Sequence, residues 1–207
     1  MRTPALNFPG GGAEAGKLDP RRAEVLDVAA ELFATKGYHA ASMRELAARL
    51  QIKAGSLYYH IASKDQLLDE VCAISLQEVI RSVDEAIAAH DTLADQLRAI
   101  IRGHARVLQR FGAYLLCYQA EYVHLSPEPQ ARTRLELAKF HRMIEGVLET
   151  ARAAGTLRHD VEVRTGRIAV VAVMTQLSKL DARPSIVEVA DGLADILVRG
   201  LAAGAAA

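Results

Sequence analysis

The stretch from Ser42 to Lys64, SMRELAARLQIKAGSLYYHIASK, constrains the fold more than any other part of the chain. It reads as two short helices joined by a tight turn, followed by the start of a third. Ser42-x-x-Glu45 is a capping box: the hydroxyl accepts from the backbone N–H three residues on, and the carboxylate reaches back. Met43, Leu46, Ala47 and Leu50 recur at helical spacing, so this helix buries one face. Ala47 is small where two helices approach closely. Gln51-Ile52 makes the turn, with Ile52 as its apolar plug. The spacing predicts a second helix over 53–60, with Leu57 and Ile61 turned inward. Ser63-x-x-Gln66 is a second capping box and starts the next helix.

The residues left facing outward are Arg44, Lys53, Ala54, Gly55, Ser56, Tyr58, Tyr59, His60 and Lys64. A helix that opens with small residues can press its backbone close to a large partner. Two tyrosines, a histidine and a lysine at its far end are donors suited to phosphate oxygens. Helix–turn–helix readers use this arrangement, with the second helix entering the major groove N-terminus first and flanking groups holding the backbone. Taken alone, S-L-Y-Y-H reads more readily as an ordinary amphipathic helix with its tyrosines in the core. The two capping boxes, the apolar register and the preceding helix, all at matching spacing, turn the reading toward DNA.

Three pieces carry a family resemblance: VLDVAAELFATKGYHAASM, RELAARL and GSLYYHIASKDQLL. From Arg21 to Leu68 the chain closely resembles the DNA-binding domain of TetR-family transcriptional regulators. The resemblance implies an all-helical homodimer that binds double-stranded operator DNA and answers to a small-molecule effector. The family's turn usually carries glycine where this chain has Gln51. A non-glycine residue in a left-handed conformation costs about 1–2 kcal/mol, so strain is expected there.

Composition agrees with helices. Half of the 207 residues are apolar, and Trp is absent. No apolar run reaches the roughly 18–20 residues that span a bilayer. Without a signal-peptide pattern, a cytoplasmic location is the expectation. Cys72 and Cys117 read as small buried hydrophobes rather than a disulfide or a metal pair. The net charge is zero, but residues 1–64 hold nine Lys/Arg against six Asp/Glu, and the excess coincides with the proposed reading head.

In chain order, residues 1–18 lack periodicity and are expected to form a disordered arm. Asp19-Pro20 opens the first helix, which buries Val25, Val28, Ala29, Leu32 and Phe33 and ends at Gly37. A long helix is expected over 64–89, then helices near 92–110, 112–124, 127–154, 164–181 and 185–201. Gly112, Ser126-Pro127, Gly155 and Arg183-Pro184-Ser185 punctuate them. Ser185-x-x-Glu188 reads as another capping box. The expected organisation is therefore all-α, with about nine helices. A three-helix DNA-binding domain occupies 19–64, and a larger helical ligand-binding and dimerisation domain occupies 65–207.

Within 65–207, Tyr114, Tyr118 and Tyr122 fall on one helical face with Glu121 nearby. This face reads either as plain core or as one wall of an apolar ligand cavity with a few polar anchors. Opposing walls would come from His104 and Leu108, from Phe140, Met143, Ile144 and Val147, and from Val171 and Met174. The layout also looks loosely like the branch of the family that answers to acyl-CoA or steroid-acid CoA thioesters. That likeness makes an acyl-CoA thioester a candidate effector and Arg102, Arg106, Arg132 and Arg134 candidate phosphate contacts. Ile168, Leu177, Val189, Leu193, Ile196 and Leu197 supply the expected dimer face.

Two other classes of function fit parts of the sequence. Glu121-x-x-His124 is half of a di-iron carboxylate signature, which needs a second copy and two further glutamates, and no second copy exists. No nucleophile elbow, phosphate-cradling loop or zinc spacing occurs either, so no cofactor and no metal are expected. A pure protein-interaction module would explain the helices but not the outward Tyr58, Tyr59, His60 and Lys64.

Overall fold

The structure, a computed structural model, describes residues 19–59, 61–180 and 185–203. The expected arm 1–18, His60 of the candidate DNA-binding set and the turn at 181–184 lie outside the described residues. Among these there are eight α-helices and no strand: α1 (Pro20–Lys36), α2 (Met43–Arg49), α3 (Ala54–Leu57), α4 (Lys64–Ala88), α5 (Leu93–Glu121), α6 (Pro127–Ala153), α7 (Val163–Leu177) and α8 (Ile186–Leu201). A 3-10 turn, Tyr122–His124, separates α5 from α6. The two helices expected over 92–110 and 112–124 meet within α5 at a kink, where Phe111 is non-helical (φ −122°, ψ 26°) next to Gly112.

Helix starts follow the chemistry of their first residues. Asp19 accepts from the Arg21 N–H at 3.2 Å, with Pro20 in the first turn of α1. The Ser42 hydroxyl caps α2 through the Glu45 N–H at 3.1 Å. At α4 the Ser63 hydroxyl accepts from the Gln66 N–H at 3.0 Å, and the Gln66 amide oxygen returns to the Ala62 N–H at 2.8 Å. The third expected box fails. Ser185 precedes α8 with φ −85° and ψ 11°, not the extended backbone a cap needs, and its side chain makes no capping bond. Gly37 ends α1 at φ +86° and ψ 151°, a region essentially reserved for glycine.

The chain divides into two compact units. The first takes the described residues up to Leu76 together with Ala113–Thr133, and the second takes Gln77–Gly112 together with the residues from Arg134 on. In this division residues 113–133 pack with the first unit. The reason is burial and bonding: Tyr114, Leu115 and Cys117 are buried, and the Tyr114 hydroxyl donates to Asp27 of α1 at 2.7 Å.

In the first unit, Val25, Leu26, Ala29, Ala30, Leu32 and Phe33 of α1 are all buried, along with Leu46, Ala47, Leu57, Ile61, Leu67 and Leu68. Cys72 and Cys117 are buried and free. They are neighbours, and the hydrogen bond between them, with burial, pushes the Cys117 thiol up. In the second unit Leu97, Ile100, Ile101, Ala105, Ile144, Leu148, Val170 and Ala190 are buried.

Candidate nucleic-acid interface

The reading head is assembled by polar ties around a buried apolar underside. Arg21 of α1 donates to the Leu50 carbonyl at 3.3 Å, and Lys36 meets Glu45 at 2.6 Å. The Glu45 carboxylate is thereby engaged by Lys36, and by Arg49 at 3.7 Å, rather than closing the expected box. Arg22 fixes α1 to α4 through Glu70 at 2.5 Å. The turn is closed by the Gln51 N–H on Ala48 and the Ile52 N–H on Ala47, at 3.1 and 3.0 Å. Gln51 adopts φ +56°, so the strain expected where the family carries glycine is present.

α3 is one turn long, shorter than the expected 53–60. After Leu57 the chain tightens, with the Tyr59 N–H reaching the Ser56 carbonyl at 3.4 Å before Ile61 plugs back into the core. Leu57 and Ile61 are the two buried apolar anchors here. Arg44, Lys53, Ala54 and Gly55 are exposed and Ser56 is half-buried. Tyr58 is 55% exposed and Tyr59 90%. A tyrosine this open contributes nothing to the core, so these rings are not the buried pair of an ordinary amphipathic helix.

Lys64 is more constrained than its neighbours. Its ammonium lies 4.3 Å from the centre of the Tyr38 ring and 3.5 Å from the His39 carbonyl. Tyr38 is itself buried, donates to Asp65, and packs edge-on against Phe33 at 5.6 Å. Burial, reinforced by Asp65, pushes its phenol up. The Tyr38 platform for Lys64 was not foreseen; a Gly-Tyr pair closing the first helix was its only signal. The His39 and His124 rings meet nitrogen to nitrogen at 3.2 Å, and His124 lies 3.5 Å from Glu121. Among the described residues no group of three or more ligands could hold a metal.

The expected ligand-cavity residues divide between the two units. Tyr114, Tyr118, Glu121 and Tyr122 belong to the first unit, while His104, Leu108, Phe140, Met143, Ile144, Val147, Val171 and Met174 belong to the second. Tyr114 is occupied with Asp27, and Tyr118 stacks at a tilt on Tyr122 at 5.7 Å. Burial pushes the Tyr118 phenol up to about 12. In the second unit an apolar cleft of about 690 Å³ is lined by Ile87, Leu93, Met143, Val147 and Ala151, with Asp84, Asp91, Arg142 and Thr150 as polar groups. Met143 and Val147 are the expected residues that reach it. Leu108, Phe140, Ile144 and Met174 are buried core. So is His104, whose Nε2 lies 2.9 Å from the Met174 carbonyl, while its Nδ1 is buried without a partner. A second cavity, a groove of about 430 Å³, runs between α4 and α5.

Of the expected dimer face, Leu177 and Leu197 are consumed inside the protomer core. Ile168 and Ile196 remain 51% and 68% exposed, with Val189 and Leu193 half-buried. Arg98 and Arg102 of α5 hold the other side of α8 through Asp195 and Asp191, at 2.9 and 2.8 Å.

Residues 25–71 match the model of bacterial regulatory proteins of the tetR family, and residues 90–201 match the tetracyclin repressor-like C-terminal domain. The chain belongs to the TetR family. This TetR-family chain is 31% identical over 144 residues to the HTH-type transcriptional repressor KstR2 of Rhodococcus jostii, spanning 69% of this chain and 71% of that one. The structure of the ketosteroid transcriptional regulator KstR2 of Mycobacterium tuberculosis superposes with a TM-score of 0.84 at 22% identity, covering 91% of this chain and 98% of that one. That of AibR, in complex with isovaleryl coenzyme A and operator DNA, gives 0.76 at 24% identity, covering 86% and 98%. At those identities the two structures establish the shared fold. The TetR-family chain is thus a helix–turn–helix transcriptional regulator and not an enzyme. Among its described residues no helix is long and apolar enough to cross a membrane.

Proposed function

We propose that the protein is a cytoplasmic homodimeric repressor, released from a palindromic operator by a small apolar or acyl-CoA-type ligand. The observation that carries the DNA reading is the outward face of α2 and α3. Exposed Arg44, the small residues Ala54 and Gly55, and the projecting Tyr58 and Tyr59 stand on a turn whose underside is fully buried. Arg44 and Ser56 are assigned to base edges. Lys53, Tyr58, Tyr59, His60 and Lys64 are assigned to phosphates. Pairing through Ile168, Val189, Leu193 and Ile196 gives a two-fold dimer, which suits two half-sites in inverted repeat.

The apolar cleft of about 690 Å³ has the size and lining of a small-molecule site. AibR, a structural neighbour, binds isovaleryl coenzyme A and operator DNA, which supports the same ligand class here. Release requires the ligand to favour the non-binding state by a few kcal/mol. Fluorescence anisotropy with the gene's own upstream DNA tests this reading. Tight, salt-sensitive binding reversed by micromolar acyl-CoA is expected. Binding that is absent, or indifferent to every thioester tried, would overturn the respective half.

A further inference from the structure

The groove between α4 and α5 is walled by Arg102, Arg106 and Arg110 on one side and by Arg81 on the other. The three α5 arginines stand at i, i+4 and i+8, one above another, where like charges repel. Arg81 is satisfied by the groove's own carboxylates, Glu78 at 2.5 Å and Glu85 at 2.7 Å. Arg102 is held by Asp191 of α8. Among the described residues no carboxylate lies within salt-bridge distance of Arg106 or Arg110. At Gly103 α5 comes close to α4, where an added Cβ would collide with the Ser82 hydroxyl, and Arg102, Arg106 and Arg110 are exposed.

We propose that this groove binds the phosphate groups of a small phosphate ester. Arg106 and Arg110 grip the phosphates, and Arg102 is drawn toward them from Asp191. Planar guanidinium forks match phosphate oxygens two at a time, and arginines one turn apart, about 5–6 Å, match the span of a diphosphate. The assignment rests on the acyl-CoA reading above and gives such a ligand's charged end a place of its own. Consecutive residues His90 and Asp91 line the groove and the apolar cleft respectively, so one molecule can reach both around the α4–α5 turn. Drawing Arg102 away also loosens α5 from α8, the helix that carries Ile196, and so links occupancy to the dimer face.

Calorimetry on the full chain with isovaleryl-coenzyme A and with inorganic pyrophosphate tests the assignment. Replacing both arginines (Arg106→Gln with Arg110→Gln) should weaken each probe at least tenfold and leave ligand-free operator affinity unchanged. Asp191→Asn, which frees Arg102, should tighten pyrophosphate binding severalfold. If the thioester binds wild type and double variant alike, the groove assignment is overturned and the ligand reading stands. If pyrophosphate binds in an arginine-dependent way and the thioester does not bind, the ligand reading fails and the groove stands. Binding of neither probe overturns both.

Discussion

The Tyr114 hydroxyl donates to the Asp27 carboxylate at 2.7 Å, joining residues 87 positions apart. Burial, followed by the Asp27 charge, pushes the Tyr114 phenol up, so it stays a donor at any physiological pH. A hydrogen bond to a charged acceptor contributes about 1.5–3 kcal/mol. Tyr114→Phe keeps the ring and should lower the unfolding free energy by about 2 kcal/mol in urea titration. A midpoint unchanged from wild type would show that the bond contributes nothing.

Gln51 sits at φ +56° in the turn between α2 and α3. Gln51→Gly relieves a left-handed penalty of about 1–2 kcal/mol, but glycine also loses more backbone freedom on folding. The net expectation is a gain of up to about 1 kcal/mol, visible as a higher melting temperature. A loss of stability would mean that the amide side chain contributes more than its backbone strain costs.

Lys64 and Arg44 should fail differently. Each phosphate contact contributes about 0.9 to the slope of log affinity against log salt. Lys64→Ala should therefore flatten that slope by about two in a dimer and weaken all sequences alike. Arg44→Ala should relax base preference instead. Titrations of matched and scrambled operators at several salt concentrations separate the two, and an unchanged slope for Lys64→Ala would remove it from the phosphate set.

His104 gives the fold a pH dependence. Burial lowers its imidazole from the ordinary 6.5 to about 4, against the opposing bond to the Met174 carbonyl. Between those values the unfolded chain binds more protons than the folded one, so stability rises with pH across the window. It is complete above about 6.5 and falls as pH drops toward 4, by at most about 3 kcal/mol. Denaturation at pH 7 and pH 4.5 should show this loss, and His104→Gln should flatten the difference.

The exposed stripe on α7 and α8 should decide the assembly. Ile196 is 68% exposed and Ile168 51%. Ile196→Glu places a charge where two copies would meet, which a desolvated interface tolerates poorly. Sedimentation is expected to show monomers, with operator affinity falling as the second half-site is lost. A variant that stays dimeric would move the interface elsewhere.

What could be read from the sequence was local. Asp19-Pro20, Ser42 and Ser63 each marked a helix start correctly, because a cap acts within three residues. Ser185 failed because the same residue type needs an extended backbone that this chain does not adopt there. Pairings between distant segments were not legible. Nothing in the tyrosine periodicity shows that Tyr114 answers Asp27 rather than a cavity, nor that Leu177 and Leu197 turn inward while Ile196 turns out. Helical spacing fixes which residues share a face; it is silent on which face finds a partner. Arg110 was not singled out from the sequence, because the significance of the α5 arginines depends on which aspartates and glutamates are already taken.

Gly55 lies inside α3, where a methyl group in place of its hydrogen would touch nothing. Alanine would favour the helix there by about 1 kcal/mol, so the monomer has no internal use for the missing side chain. The bareness of that position leaves room for a partner pressed against it from outside. A bulky replacement should leave melting untouched and cripple contact with the operator, separating what keeps the molecule folded from what lets it come close.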